Sequence, residues 1–308
     1  MTYDLAILGG GPAGVSAGVY SARKKLKTAF ITHDFGGQSI VSPDIQNWIG
    51  TKSISGEDLA KALEDHVRSY ESEDFKIVTG QYVAGVKKSG DIFEVTTDKG
   101  ETFQTKTVLV TTGSQRRKLE VPGAEEFDQK GLTYCASCDG PLFTDKDVVV
   151  IGGGNAGFET AGQLLAYTKS VTLLHRNSEF KADAITVEKL MKNPKFKGIL
   201  NTEILEIKGD KFVTGLSYKD KETNETKELA VQGVFVEIGF TPNTSYVKDI
   251  VETDKFGAIK IDPLTQKTSL AGIWSAGDCT NVLYHQNNIA SGDAVKAVED
   301  IYNTLHLK

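Results

Sequence analysis

Cysteine is scarce in this 308-residue chain: three residues, at 135, 138 and 279, too few to staple a disulfide scaffold of that size. Long apolar runs are missing as well. The longest are strand-sized and broken by glycine, far short of the ~20 residues that cross a membrane, so no membrane association is expected. Basic excess is absent too: the formal net charge is −6 and no Lys/Arg stripe stands out, which excludes a nucleic-acid surface. The N-terminus runs straight into the strand pattern Tyr3-Asp4-Leu5-Ala6-Ile7-Leu8, without a basic region or cleavage site, so the expected location is cytoplasmic. In that reducing compartment a close cysteine pair is more readily catalytic or metal-binding than structural. Metal binding lacks ligands: there is no second C-x-x-C, and the five histidines are scattered at 33, 66, 175, 285 and 306. No metal is expected.

The length exceeds one ordinary hydrophobic core, so two domains are expected. Short β-branched runs at 5–8, 107–111, 148–151 and 234–238 alternate with helical patterns at 13–25, 155–167 and 289–305. That alternation predicts an α/β fold with parallel sheets and crossover helices. Ser55-Gly56-Glu57-Asp58 is a capping pattern opening a further helix over 59–70. Residues 76–111 and 202–238 change to strands joined by polar turns, the signature of β-meanders. The organisation repeats, one copy from residue 4 and one from about 147. Two Rossmann-like dinucleotide-binding domains, and so two bound nucleotides, are the expectation.

Each copy carries a glycine turn. Gly9-Gly10-Gly11-Pro12-Ala13-Gly14 fits G-x-G-x-x-G between a strand and a helix, and Gly152-Gly153-Gly154-Asn155-Ala156-Gly157 repeats it. A Cβ would hold the backbone away from a pyrophosphate, and the helix N-terminus adds free N–H groups and partial positive charge. After the first copy the second strand is expected to end at Thr32-His33-Asp34. Asp34 has the spacing of a ribose-binding acid, and equally that of a solvated turn residue. After the second copy, His175-Arg176-Asn177 follows the strand at 171–174 with no acid at its edge. Arg176 and Lys181 suit a 2′-phosphate, which favours NADPH over NADH. Glu179 lies between them, and a solvated charged loop accounts for the same residues.

Cys135-Ala136-Ser137-Cys138-Asp139-Gly140 is the remaining cluster. Disulfide exchange needs an attacking thiolate, a resolving thiol and a proton source. Two intervening residues let the sulfurs close a small ring, and the motif depresses one thiol pKa. Asp139 is the candidate acid, its proton affinity raised if the site is partly buried. Cys279, alone after a strand, reads as a buried structural residue.

With two dinucleotide turns enclosing C-x-x-C-D-G, the sequence resembles the low-molecular-weight thioredoxin reductases over essentially its whole length. Gly36-Gly37-Gln38 and Asn47-Trp48 match flavin-contacting segments, and Val83 is counted with them. Thr111-Thr112-Gly113 matches the second flavin-side turn and Gly239-Phe240-Thr241-Pro242-Asn243 the return crossover. Gly277-Asp278 matches the C-terminal flavin motif, and His285-Gln286-Asn287 falls where backbone contacts to the flavin ring are placed. The resemblance implies an FAD domain over 1–114 and 245–308, with an NAD(P)H domain over 115–244 inserted into it. It also implies a homodimer, and rotation of one domain against the other about hinges at 112–114 and 240–244. In this reading Gly9, Gly11, Pro12, Ala13, Gly14 and Asp34 hold FAD with the residues just named. Gly152, Gly154, Asn155, Ala156, Gly157, His175, Arg176 and Lys181 hold the nicotinamide dinucleotide. Electrons then reach the Cys135–Cys138 disulfide, with Cys138 proximal to the flavin, Cys135 attacking the partner and Asp139 as acid.

Two features depart from that family. Members using NADPH show His-Arg-Arg-x-x-x-Arg, where this chain has His175-Arg176-Asn177-Ser178-Glu179-Phe180-Lys181, and lysine lacks arginine's bidentate fork. Phe180-Lys181-Ala182-Asp183, Cys138-Asp139-Gly140-Pro141-Leu142-Phe143 and Gly277-Asp278-Cys279-Thr280 are more similar to the flavoprotein component of bacterial alkyl hydroperoxide reductase, which uses NADH and has an extra N-terminal redox domain. No such domain is expected ahead of residue 1, so the expected recipient is a separate thioredoxin- or glutaredoxin-like protein. The alternatives are an NADH-dependent reductase serving a peroxiredoxin system and a reductase fed by ferredoxin. A ferredoxin–NADP reductase lacks the cysteine pair, and a nucleotide-bound redox sensor does not need Asp139.

Overall fold

Apolar runs that leave no polar alternation can be buried only between two layers, and this chain builds two such sheets. The computed structural model describes residues 1–42 and 44–307. Two units emerge: Met1–Gln115 with Thr241–Lys308, and Arg116–Phe240. The chain therefore leaves the first unit once, completes the second and returns. The α/β class with two dinucleotide-binding units, one inserted into the other, holds in the fold.

In the first unit the strand Thr2–Leu8 lies between Thr28–Ile31 and Thr102–Val110, parallel to both, and Phe75–Val78 extends the sheet beyond Thr28–Ile31. The last long strand does two jobs. Its first half pairs antiparallel with Ile92–Thr97, and its second half pairs parallel with Ile273–Ser275. Alternate residues of Thr2–Leu8 feed opposite cores. Leu5 and Ile7 pack with Val15 and Val19 of the helix Pro12–Arg23 and with Val298 and Ile301 of Asn287–His306. Ala6 and Leu8 pack with Val86, Phe93 and Val95 of the meander. The helix Gly56–Arg68 starts where the capping pattern predicted: Ser55 Oγ accepts from the Asp58 N–H at 3.0 Å, satisfying one orphan donor of the first turn.

In the second unit five parallel strands run in the order Phe196–Ile199, Ser170–Leu174, Asp147–Ile151, Gly233–Val236, Leu132–Thr133. Val149 and Ile151 face one core while Val148 and Val150 face the other, at about 1.5–3 kcal/mol for each fully buried side chain. The meander expected over 202–238 ends sooner. Thr202–Gly209, Val213–Asp220 and Thr226–Ala230 form a separate antiparallel sheet. Gly233–Val236 instead joins the parallel sheet beside Asp147–Ile151, because all four of its residues are buried. The first strand pair also differs in detail: Thr28–Ile31 stops before Thr32-His33-Asp34, which enters the following turn.

Connections after Asp147–Ile151 run to one side of the second sheet, and Gly233–Val236 lies on the other. The topological switch point thus falls between those two strands, the place where open α/β sheets bind ligands at their carboxyl ends. Four segments end there: the second glycine turn, His175, Glu237, and Tyr134 leading into Cys135.

Candidate functional site

In the first unit a cavity of about 510 Å³ opens at the carboxyl end of the sheet. Its floor is the first glycine turn, and the turn's glycines do different jobs. Gly9 has φ +117°, and a Cβ there would stand 2.5 Å from Thr111 O. A Cβ on Gly14 would lie 1.8 Å from Gly9 O, and one on Gly10 2.2 Å from Asp34 O. These three are glycine because the protein itself leaves no room. Gly11 is different: nothing lies closer than 4.0 Å to its Cβ position. The helix Pro12–Arg23 begins immediately after it, with no side chain capping its N-terminus. Free N–H groups, a helix dipole and an open glycine make a cradle for a phosphate.

Of the residues expected on the flavin side, Gly9, Gly11, Pro12, Ala13, Asp34, Gly37, Gln38, Val83, Thr112, Gly113, Gly277, Asp278 and Asn287 line this cavity. Gly14 packs behind the turn. Asn47, His285 and Gln286 stand outside the lining but are tied to it or to each other. Asn47 Nδ2 donates to Gln286 Oε1 at 3.2 Å, and His285 Nδ1 sits 3.3 Å from Asp278 Oδ1. Gln38 Nε2 donates to Ser114 Oγ at 3.2 Å and to Asp278 Oδ2 at 3.4 Å. Asn287 and Ser39 bond side chain to side chain at 2.8 Å.

Sequence reasoning did not single out Tyr82 or Tyr246, which also line the cavity, together with Thr32 and Asn243, expected only as part of the strand end and of the return crossover. Tyr82 stacks on His33 with ring centroids 4.1 Å apart. Thr112 Oγ1 donates to Asn243 O at 2.7 Å, and Asn243 Nδ2 returns a bond to Thr112 O at 3.0 Å. Burial pushes the Tyr246 phenol well above the usual range, so it stays a neutral partner of Thr112, 3.0 Å away. Cys279 is buried beneath, its thiol pushed up by burial.

The second unit repeats the turn with the same division of labour. A Cβ on Gly152 would meet Glu237 O at 2.0 Å, one on Gly157 would meet Gly152 O at 1.9 Å, and one on Gly154 would meet nothing within 4 Å. Asn155 begins the helix Asn155–Leu164 and accepts from Asp183 N–H at 2.8 Å. His175 lies under the turn. Its Nδ1 accepts from Gly153 N–H at 3.1 Å, and a Cβ on Gly153 would strike the ring at 2.5 Å. Burial first, then the charges of Arg176 and Lys181, hold its proton affinity below the ordinary histidine value. Arg176 and Lys181 are exposed. Lys181 is anchored through its backbone N–H to Gly153 O at 2.7 Å, which keeps it beside the turn.

Cys135 and Cys138 form a disulfide with Cα atoms 5.4 Å apart. Cys135 caps the short helix Ala136–Asp139, its Sγ accepting from Cys138 N–H at 3.2 Å. Asp139 is buried, and Thr133 Oγ1 donates to its Oδ2. Desolvation raises the Asp139 pKa, with the Thr133 bond and the Arg116 charge pulling it back. A second carboxyl, the half-buried Glu237, accepts from Thr160 Oγ1 at 2.8 Å and lies 3.9 Å from Arg116. Burial raises its pKa too. Thr133, Arg116 and Glu237 carry no sequence signal of their own: a threonine in a strand reads as a β-former and a charge after a strand as a solvated end. Among the described residues no group of three His, Cys, Asp or Glu could hold a metal, and no helix is long and apolar enough to cross a membrane.

A family model described as Pyridine nucleotide-disulphide oxidoreductase matches residues 3–297. The chain is 40% identical over 303 residues to a Bacillus subtilis (strain 168) protein named NADH dehydrogenase, covering 98% of this chain and 58% of that one. It is 41% identical over 296 residues to the F subunit of alkyl hydroperoxide reductase in Pseudomonas aeruginosa, covering 96% of this chain and 57% of that one. It therefore spans less than two thirds of the length of these curated relatives. Among solved structures it is similar to the thioredoxin reductase of Streptococcus pyogenes MGAS5005, with a TM-score of 0.89 at 33% identity, covering 100% of this chain and 99% of that one.

Proposed function

The chain belongs to the pyridine nucleotide-disulphide oxidoreductases, and from that membership we propose that it is a thioredoxin-disulfide reductase, moving electrons from NADPH through FAD and the Cys135–Cys138 disulfide to a thioredoxin-like protein. The observation that carries this reading is the Cys135–Cys138 disulfide beside a buried Asp139, on the sheet edge that also holds the second glycine turn. In this reading the unit of Met1–Gln115 and Thr241–Lys308 is the FAD domain and Arg116–Phe240 the NAD(P)H domain.

The open Cβ positions of Gly11 and Gly154 support two bound dinucleotides, because neither glycine is demanded by the protein's own packing. Gly11 and the N-terminus of Pro12–Arg23 would take the FAD pyrophosphate, with Asp34 toward the ribose and Gln38, Thr112, Asp278 and Asn287 along the rest of the cavity. Gly154, Asn155 and Ala156 would take the nicotinamide dinucleotide, with Arg176 and Lys181 toward a 2′-phosphate. Bound there, the flavin supplies two-electron transfer between nicotinamide and disulfide. The chain's own residues supply the rest. Cys135 attacks the partner disulfide, Cys138 resolves the mixed disulfide, and Asp139 holds the proton that a departing thiolate needs. A homodimer in the cytoplasm completes the reading.

A second reading has NADH as donor and a peroxiredoxin- or glutaredoxin-like recipient. The 41% identity to the alkyl hydroperoxide reductase component supports it, as does the single arginine at 176 where a phosphate site would use several.

Anaerobic mixing of the flavin-loaded protein with NADPH and, in parallel, NADH separates the two: rapid bleaching by NADPH alone is expected, bleaching by NADH alone supports the second reading, and bleaching by neither overturns both. Cys138→Ser should leave that bleaching intact and abolish turnover of a thioredoxin disulfide. Surviving turnover would remove the dithiol from the mechanism.

A further inference from the structure

Thr133 ends the strand Leu132–Thr133 two residues before Cys135, and it is only 3% exposed. Its hydroxyl oxygen accepts from the Cys135 N–H at 3.2 Å and donates to Asp139 Oδ2. A hydroxyl has one hydrogen to give, and no other acceptor for it stands among the described residues, so Oδ2 is the accepting oxygen of that bond. The other oxygen, Asp139 Oδ1, is buried without a hydrogen-bond partner among the described residues. A buried carboxylate charge on an unpartnered oxygen is costly, and a proton on that oxygen removes the charge.

We propose that Thr133 is a positioning residue for thiol–disulfide exchange. Its hydroxyl occupies Oδ2 and anchors the Cys135 backbone, so that the proton carried by Asp139 resides on Oδ1. The inference rests on the reading of Asp139 as the acid.

The exchange balances without a further reagent. The Cys135 thiol gives its proton to Asp139 and its thiolate attacks one sulfur of the partner disulfide. A Cys135–partner bond forms, the partner's own S–S bond breaks, and Asp139 Oδ1 returns the proton to the departing thiolate. Cys138 then loses its proton by the same route and attacks the Cys135 sulfur, re-forming the Cys135–Cys138 bond. The second partner thiolate leaves with that proton. The dithiol has lost two electrons and two protons, and the partner disulfide has gained both.

The test uses the whole 308-residue chain, reduced with dithiothreitol and desalted anaerobically, and two probe disulfides at neutral pH. Dithiobis-nitrobenzoate releases an aromatic thiolate that leaves without a proton, whereas bis(hydroxyethyl) disulfide releases an alkyl thiolate that needs one, since leaving-group pKa governs the rate. Thr133→Val is expected to slow the alkyl probe about tenfold and the aromatic probe less than about twofold, a fraction of what general acid catalysis contributes. Thr133→Ser, which keeps the hydroxyl, should stay within about threefold of the parent for both probes. Equal slowing of both probes, or no change in either, overturns the proposal. If Thr133→Val does not fold, Thr133→Ala is read by the same ratio. Asp139→Asn separates the two levels: an unchanged alkyl-to-aromatic ratio there removes the acid itself, while a changed ratio there with an unchanged one in Thr133→Val removes only the role of Thr133.

Discussion

The two glycine turns have nearly the same backbone but different supports. In both, the first and last glycines of G-x-G-x-x-G are enforced by the chain's own carbonyls, Thr111 O and Gly9 O in one, Glu237 O and Gly152 O in the other. In both, the middle glycine faces open space. They part at the end of the next strand. Gly10 of the first turn crowds the Asp34 carbonyl, and the Asp34 side chain is left exposed at the cavity. Gly153 of the second turn crowds the His175 ring, which is buried and bonded to the turn itself. A side chain used to hold the turn up is not free to hold a ribose. In the proposed reading the glycines therefore form a phosphate cradle in general, and the strand-end residue decides what the neighbouring half of a nucleotide meets.

The largest break in that symmetry comes from its shared element. Gly14→Ala and Gly157→Ala each put a Cβ within 2 Å of a backbone oxygen, and backbone cannot swing away as a side chain can. Each should cost about 3 kcal/mol or more, at the upper end of overpacking effects. Gly14→Ala is expected to yield protein without retained flavin, and Gly157→Ala protein that keeps flavin but is no longer bleached by a reduced nicotinamide. Absorbance of the purified protein and thermal unfolding check both, and unaltered unfolding would contradict the clash.

The middle glycines give the next largest effect, of a different kind. Gly11 and Gly154 sit in extended backbone, φ −73° and −94°, where alanine is not strained. Gly154→Ala should change stability by less than about 1 kcal/mol yet weaken nicotinamide binding about tenfold or more, because the methyl occupies the phosphate's approach. Titration calorimetry beside a melting curve reads both numbers. A variant that binds normally would mean that the cradle is not used.

Much of this was legible in the sequence for one reason: glycine, proline and helix-start patterns report backbone constraints that act locally. The strands entering the turns and the helices leaving them followed from that. The capping pattern at Ser55 did as well, since its bond closes within three residues. The strand at 233–236 separated from its meander because burial on both faces comes from packing with distant residues. The same holds for Thr133, Arg116 and Glu237. Their importance lies in what they touch, Asp139 and each other, across up to 121 positions of chain (237 minus 116). His175 was expected among the nucleotide-binding residues, but its inward rotation under Gly153 carries no sequence signal.

That inward rotation has a pH signature, the smallest of these effects and the most specific to the second turn. The folded state holds His175 neutral: burial and the Arg176 and Lys181 charges disfavour the cation, and a proton on Nδ1 would break the bond from Gly153 N–H. The unfolded chain, with a histidine value near 6.5, takes up that proton sooner as the solution is acidified. Stability rises with pH wherever the unfolded state binds more protons. The contribution is therefore complete above 6.5 and is lost as the pH falls from there through the lower folded value. His175→Asn keeps an acceptor at the Nδ1 position and cannot titrate. Its unfolding temperature should lie below the parent's at about pH 8 because the ring is lost, and the gap should narrow toward about pH 5 as only the parent pays the protonation cost. A gap independent of pH would mean that His175 does not titrate in this range, and that its support of the turn is steric alone.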